Sequence, residues 1–228
     1  MNKIQNSVVL VTGANRGLGR AFVTQALAMG AAKVYAATRK PHGFNDPRVV
    51  NILLDITDES TLKGLAKQAP DVTVLINNAG VFFNATILGA DVHTMRTEFE
   101  TNVLGTIQVA QTMAPVLKQN GGGAMINVHS ALSWLPFGSY GASKAALWSV
   151  TNSLRQELAE QGTQVVGVHV GLIDTDMAKV FDMPKSNPND VAQAALEGME
   201  RGLHEVLVDE ASQYAKSLLS GPVEELHS

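Results

Sequence analysis

Short runs of β-branched and apolar residues recur along the chain, separated by longer segments whose apolar positions return every three or four residues. The runs predict strands over Val8–Thr12, Lys33–Thr38, Val49–Asp55, Val72–Asn77, Ala124–His129, Gln164–Val170 and Glu205–Asp209. The longer segments predict helices over Leu18–Met29, Glu59–Gln68, Val92–Lys118, Ser139–Gln161 and Pro188–Arg201. Val8-Val9-Leu10-Val11 and Val72-Thr73-Val74-Leu75-Ile76 are apolar nearly throughout, the pattern of strands covered on both faces. Strand alternating with helix through right-handed crossovers gives an α/β fold, a doubly wound parallel sheet with helices on both faces. No repeat or long polar interruption divides the pattern, so residues 1–228 are expected to form one domain. Such sheets bind ligands beyond the carboxyl ends of their strands, near the point where strand order reverses. Candidate chemistry is therefore sought just after each strand.

The first strand ends at Thr12 and runs into Gly13-Ala14-Asn15-Arg16-Gly17-Leu18-Gly19. Glycine allows a tight turn and close approach of a pyrophosphate to the main chain, and the helix start offers unpaired N–H groups at a positive dipole end. The spacing differs from G-x-G-x-x-G, and it is the position between strand and helix that points to a Rossmann-type nucleotide site. In NAD-binding sheets an acidic residue about 20 positions further on holds the ribose 2′-hydroxyl. Here the second strand ends Ala37-Thr38-Arg39-Lys40, with no carboxylate. Arg39 is placed to pair with a 2′-phosphate, with Arg16 reaching from the glycine turn, so NADP(H) is the expected cofactor ahead of NAD(H).

Composition narrows the function classes. Hydrophobic residues are 45% of the chain and charged residues 17%, which fits a globular protein and not a disordered one. The net charge is −4 with no basic run, so neither nucleic acid nor an anionic membrane is an expected partner. The absence of cysteine excludes disulfides, thiolate metal sites and a cysteine nucleophile. The six histidines, His42, His93, His129, His169, His204 and His227, show no ligand spacing, and no metal is expected. No apolar leader or membrane-length span is present, and a reducing cytoplasm is the expected compartment.

Ser139-Tyr140-Gly141-Ala142-Ser143-Lys144 opens a long predicted helix with Ser139 as its N-cap. Tyr140 and Lys144 are four apart and project from one face. Hydride transfer to a carbonyl carbon leaves an alkoxide that needs a proton; a tyrosine can deliver it if a nearby ammonium stabilises the phenolate. Running the reverse reaction near pH 7 requires about 4 kcal/mol to bring a tyrosine of ordinary pKa about 10 to half ionisation. Ser130, at the end of the preceding strand, can hydrogen-bond the carbonyl oxygen.

Taken together these residues resemble the short-chain dehydrogenase/reductase family from about Ser7 to Met177. The matching pieces, in order, are Thr12-Gly13 with Gly17 and Gly19, Asp55, Asn77-Asn78-Ala79-Gly80, Asn102 before Gly105, Ser130, Tyr140 with Lys144, and Gly171 with Thr175. The resemblance implies that Ser130 orients the carbonyl, Tyr140 exchanges the proton, Lys144 binds the nicotinamide ribose and assists Tyr140, and Asn102 holds a water in a proton relay. It also implies a cofactor set of Gly13, Asn15, Arg16, Gly17, Leu18 and Gly19 at the first turn and Thr38 and Arg39 at the second strand end. Asp55 and Ile56 fall near the adenine, Asn78, Ala79 and Gly80 along the cofactor, and Gly171, Ile173 and Thr175 near the carboxamide. The family usually pairs helices between subunits, so a homodimer or homotetramer is expected.

Three departures bear on the site. Ser130 and Tyr140 are ten apart where the family commonly has about thirteen, which leaves Ser133 as the alternative serine. Val170-Gly171 stands where Pro-Gly is usual, and the segment from Met177 to Asn189 is short, which predicts an open pocket with little lid. Trp134, Phe137, Phe82 and Phe83 either wall the substrate pocket or plug loops against the core. The function expected is NADPH-dependent reduction of a ketone or aldehyde; the alternatives are an alcohol dehydrogenase using the same residues and a non-catalytic NADP(H) sensor.

Overall fold

The computed structural model describes residues 2–40 and 43–227 and leaves out the His227 side chain. Its strands are β1 (Val8–Thr12), β2 (Lys33–Thr38), β3 (Val49–Leu53), β4 (Val74–Asn77), β5 (Ala124–Val128), β6 (Gln164–His169) and β7 (Glu205–Leu207). All pair in parallel in one sheet of order β3-β2-β1-β4-β5-β6-β7. The chain builds outward from β1 through β2 to β3, then returns to the other side of β1 at β4. The strand order therefore reverses between the carboxyl ends of β1 and β4.

Two-residue alternation along buried strands divides the core between the faces. Val9, Val11, Ile76, Ile126 and Val168 pack with Phe22 of α1 (Gly17–Ala28) and Leu196 of α7 (Pro188–Glu200). Leu10, Leu75, Met125 and Val165 pack on the other face with Met113 and Leu117 of α5 (Thr106–Gln119). A buried polar line crosses the second half of the sheet: Asn77 Nδ2 donates to Asn127 Oδ1 at 2.9 Å, and Asn127 Nδ2 donates to Thr151 Oγ1 at 2.9 Å. Thr151 lies on α6 (Gly138–Glu157), so this line fixes α6 against β5.

Several predicted elements change when tertiary packing acts. The strands after the first two end one or two residues earlier than the apolar runs, or start later in the case of β4. The expected Glu59–Gln68 helix is two single turns, α2 (Glu59–Leu62) and α3 (Leu65–Gln68), interrupted at Lys63-Gly64. Val92–Lys118 is continuous in path but splits into α4 (Val92–Phe99) and α5, joined by a six-residue π segment, Glu100–Gly105. Ser139 is not an N-cap: Phe137 occupies that position, and the Ser139 hydroxyl turns inward to Glu98. A last helix, α8 (Glu210–Ser217), was not predicted; Asp209 and Ser212 form its capping box.

Candidate active site

The turn after β1 is bare backbone. Gly13 (φ 67°) and Gly17 (φ 51°) take left-handed conformations. A Cβ on Gly17 would lie 3.0 Å from Thr175 Cγ2, and one on Gly19 would lie 2.6 Å from Asn78 Nδ2 and overlap the Gly13 carbonyl oxygen. Arg16, at the N-cap of α1, gives no side-chain hydrogen bond to the helix, and the first turn carries no acid. The first N–H groups of α1 thus have no side-chain cap, and an unshielded glycine turn at a helix start fits the pyrophosphate of a dinucleotide. Leu18 turns its side chain into the core, so only its main chain faces the turn.

The neighbouring strand ends are locked to this turn. Thr12 Oγ1 accepts from the N–H groups of Asn78 (3.0 Å) and Ala79 (3.1 Å), and Asn78 Nδ2 donates to Thr12 O at 2.9 Å. Asn78-Ala79-Gly80 therefore runs beside the glycine turn across the switch point. Asp55 accepts from Thr57 N and Thr57 Oγ1, closing the turn after β3 next to buried Ile56. Gly171 N donates to Asp209 Oδ2 at 2.8 Å, and Ile173 bridges to Ser186, so the chain after β6 is tied on both sides. Thr38 is buried and donates to Lys40 O, whereas Arg39 is exposed at the end of β2. The Arg16 side chain is 70% exposed and pairs with Asp176 at 3.5 Å, so Arg16 and Arg39 are both accessible at this end of the sheet.

At the second strand-end cluster Tyr140 and Lys144 lie one turn apart on α6. Lys144 is buried; its Nζ donates to Val128 O at 3.0 Å and lies 5.8 Å from the Tyr140 ring centroid. Burial pulls the ammonium down to about 8. The Tyr140 phenol is pushed well above the ordinary tyrosine range, first by burial and then by the negative charge of Glu98; the Ser130 hydroxyl facing it acts in the opposite direction. Ser130 caps the short turn Ala131–Ser133, accepting from Leu132 N at 3.1 Å. Ser133 Oγ instead accepts from Ser130 N at 3.4 Å. Of the two serines, Ser130 is the one brought to the phenol, and the tight turn absorbs the short interval to Tyr140.

Asn102 sits in the π segment and is wholly buried. Its Oδ1 accepts from Val81 N at 2.8 Å, while its Nδ2 donates to Val81 O and to Ser143 Oγ, both at 3.0 Å. Ser143 in turn donates to Tyr140 O at 2.8 Å. The side chain therefore braces the Val81 backbone against α6, behind Tyr140.

Phe82 meets the Tyr140 ring edge-on at 5.1 Å and packs with Phe137 at 6.1 Å and Phe181 at 5.8 Å. The segment after Met177 is short, but the bridge between Ile173 and Ser186 ties it back and Phe181 packs beside Phe82 and Phe137. For Trp134 the second alternative holds: it is buried, stacked on His169 at 3.9 Å and edge-on to Trp148 at 6.0 Å. Phe83 is 46% exposed and joins neither group. His129 stacks on His169 at 4.7 Å. Among the described residues no three His, Asp or Glu side chains come together as metal ligands; His42 lies outside them.

Three residues of the site had no signal in the sequence. Glu98 sits in Thr97-Glu98-Phe99-Glu100, which reads as a solvated helix face, yet it is fully buried between α4 and α6. Phe181 follows no strand, and Asp209 falls at the end of the last predicted strand with nothing to mark it as a partner of Gly171. Only contacts made by distant elements give these three a place.

The model of the short chain dehydrogenase family matches residues 7–185. A short chain dehydrogenase from Burkholderia cenocepacia, solved in complex with NADP, is 38% identical and superimposes with a TM-score of 0.93 over 99% of this chain and 97% of that one. A short chain dehydrogenase/reductase from Burkholderia phymatum, solved with NAD, is 22% identical with a TM-score of 0.86 over 96% of this chain and 94% of that one, a likeness of fold. Among curated proteins, the ketoacyl reductase HetN of a Nostoc species is 30% identical over 92% of this chain and 81% of its own length.

Proposed function

This chain belongs to the short chain dehydrogenase family, and from that premise we propose that it is an NADPH-dependent reductase of ketones or aldehydes in which Tyr140 gives the proton. The observation that carries the reading is the meeting of the Ser130 hydroxyl and the Tyr140 phenol beyond β5, with the Lys144 ammonium one turn away. A bound nicotinamide supplies the hydride. Ser130 would donate to the carbonyl oxygen, and Tyr140 would protonate that oxygen as its charge develops. Lys144 would stabilise the resulting phenolate and hold the nicotinamide ribose, and Asn102 keeps α6 in register with the Val81 backbone.

Gly13, Asn15, Arg16, Gly17, Leu18 and Gly19 would hold the pyrophosphate through their main chain, and Arg39 the 2′-phosphate. The NADP complex of the 38%-identical Burkholderia protein supports that preference. The ketoacyl reductase relative supports a keto substrate, and the Phe82, Phe137 and Phe181 rings favour one that is apolar next to its carbonyl. The exposed Phe99 and Leu104 on the α4–α5 path support pairing between subunits, and the lack of cysteine supports a cytoplasmic setting.

The test is consumption of NADPH and, separately, NADH by the purified protein against ketones, aldehydes and keto esters. NADPH should be the better donor, and Tyr140→Phe should retain cofactor binding while losing at least about a hundredfold in kcat. Tight NADPH binding with no turnover of any carbonyl would overturn the reading.

A further inference from the structure

Glu98 is the one buried carboxyl group next to Tyr140 that carbonyl reduction by itself does not use. It is fully buried on α4, with one oxygen accepting from Phe83 N at 2.9 Å and the other from the Ser139 hydroxyl. No Lys or Arg lies within ion-pair distance of it among the described residues. Its two partners flank the reactive group on both sides. Phe83 follows Phe82, the ring set against Tyr140, and Ser139 precedes Tyr140 in the first turn of α6.

Resting on the reductase reading above, we infer that Glu98 is a positioning residue for Tyr140: its buried carboxylate ties the Phe82–Phe83 backbone to the start of α6 and so sets the surroundings of the Tyr140 hydroxyl in both reaction directions. The Ser130 hydroxyl faces that hydroxyl from the end of β5 and the Glu98 charge acts on it from α4; Lys144, on α6 itself, lies 5.8 Å from the Tyr140 ring centroid, and the Phe82 ring meets the Tyr140 ring edge-on. In reduction the phenol O–H bond breaks, the proton goes to the carbonyl oxygen, and a phenolate remains. A neighbouring anion in a low-dielectric interior opposes that phenolate, so it disfavours the same tyrosine as a base in alcohol oxidation. The burial that prevents water from screening Glu98 also strengthens this effect. Charge and clamp are separable, because glutamine at this position can still accept from Phe83 N and can donate to Ser139 Oγ.

The experiment compares the unsubstituted chain, Glu98→Gln and Ser139→Ala. The rise of alcohol oxidation with pH should move down by roughly one pH unit in Glu98→Gln, with oxidation several-fold faster below that limb. Ser139→Ala removes one arm of the clamp and keeps the charge, so its limb should not move down. The Tyr140 titration, followed with NADP bound through the resonances of ring-labelled tyrosine and assigned with Tyr140→Phe, should shift in parallel. An unmoved limb and titration in Glu98→Gln, or the same downward shift in Ser139→Ala, would overturn the inference. Should Glu98→Gln fail to fold, the carboxyl carbon resonance of Glu98 in the unsubstituted chain decides: a group still protonated at neutral pH overturns it. If no carbonyl is turned over while the Tyr140 titration still falls in Glu98→Gln, the reductase reading fails and the coupling of Glu98 to Tyr140 stands.

Discussion

Replacing Lys144 with methionine should make the cofactor-free protein more stable while removing its activity. The side chain is 5% exposed and its Nζ has one hydrogen-bond partner, Val128 O at 3.0 Å. Burial lowers its pKa from 10.5 to about 8. Holding the ammonium inside the fold at neutral pH therefore costs about 3 kcal/mol relative to the unfolded chain. Methionine fills a similar unbranched space without a charge, and loss of the bond to Val128 O takes back about 1 kcal/mol. The net expectation is a gain of about 2 kcal/mol, or about 4–8 °C in Tm for a chain of this size. The sign of the pH dependence follows from the lowered value. Between about 8 and 10.5 the folded lysine binds fewer protons than the unfolded one, so the unsubstituted chain gains stability as pH rises through that window. The advantage of Lys144→Met is thus full at neutral pH and closes toward the upper end. Urea unfolding of both proteins without cofactor, at neutral pH and again near that upper end, measures it. A variant less stable than the parent at neutral pH, or a gap that stays constant across the window, would refute the reasoning.

Gly19→Ala should place its methyl group against the Gly13 carbonyl and Asn78 Nδ2, costing about 1–3 kcal/mol in thermal unfolding and most of the cofactor affinity in a binding titration. Arg39→Asp should weaken NADPH relative to NADH by about tenfold or more, read from the two KM values; an unchanged ratio would mean that the 2′-phosphate is held elsewhere. Phe181→Ala should raise KM by about tenfold for bulky apolar ketones and much less for small ones, whereas an equal effect on both would remove Phe181 from the substrate wall.

The fold class was legible because buried parallel strands are written as unbroken apolar runs, and β1 and β2 follow theirs residue for residue. The glycine turn was legible because its chemistry is local: Gly13 and Gly17 take left-handed conformations, and a Cβ on Gly19 would overlap the Gly13 carbonyl. The Tyr140–Lys144 spacing needed only the period of one helix. Boundaries were less legible, since a helix running on from Phe99 to Thr106 and one widened into a π segment share the same apolar period.

Other features were decided only when distant elements met. Trp134 and Phe137 are three residues apart in one loop, and packing sends the first to the His169 stack and the second to the ring cluster beside Tyr140. Both hydroxyls accept from the backbone of the short turn, and the choice of Ser130 over Ser133 depends on which of them also faces the Tyr140 phenol. Ser139 looks like a cap in sequence and becomes a partner of Glu98 because α4 crosses the start of α6. The sequence by itself determined the sheet, the glycine turn and the tyrosine–lysine pair, since each depends on neighbours within one strand, turn or helix. Tertiary structure alone decided where Glu98 and Phe181 lie, because burial and electrostatic environment come from side chains far apart along the chain, and no local pattern records them.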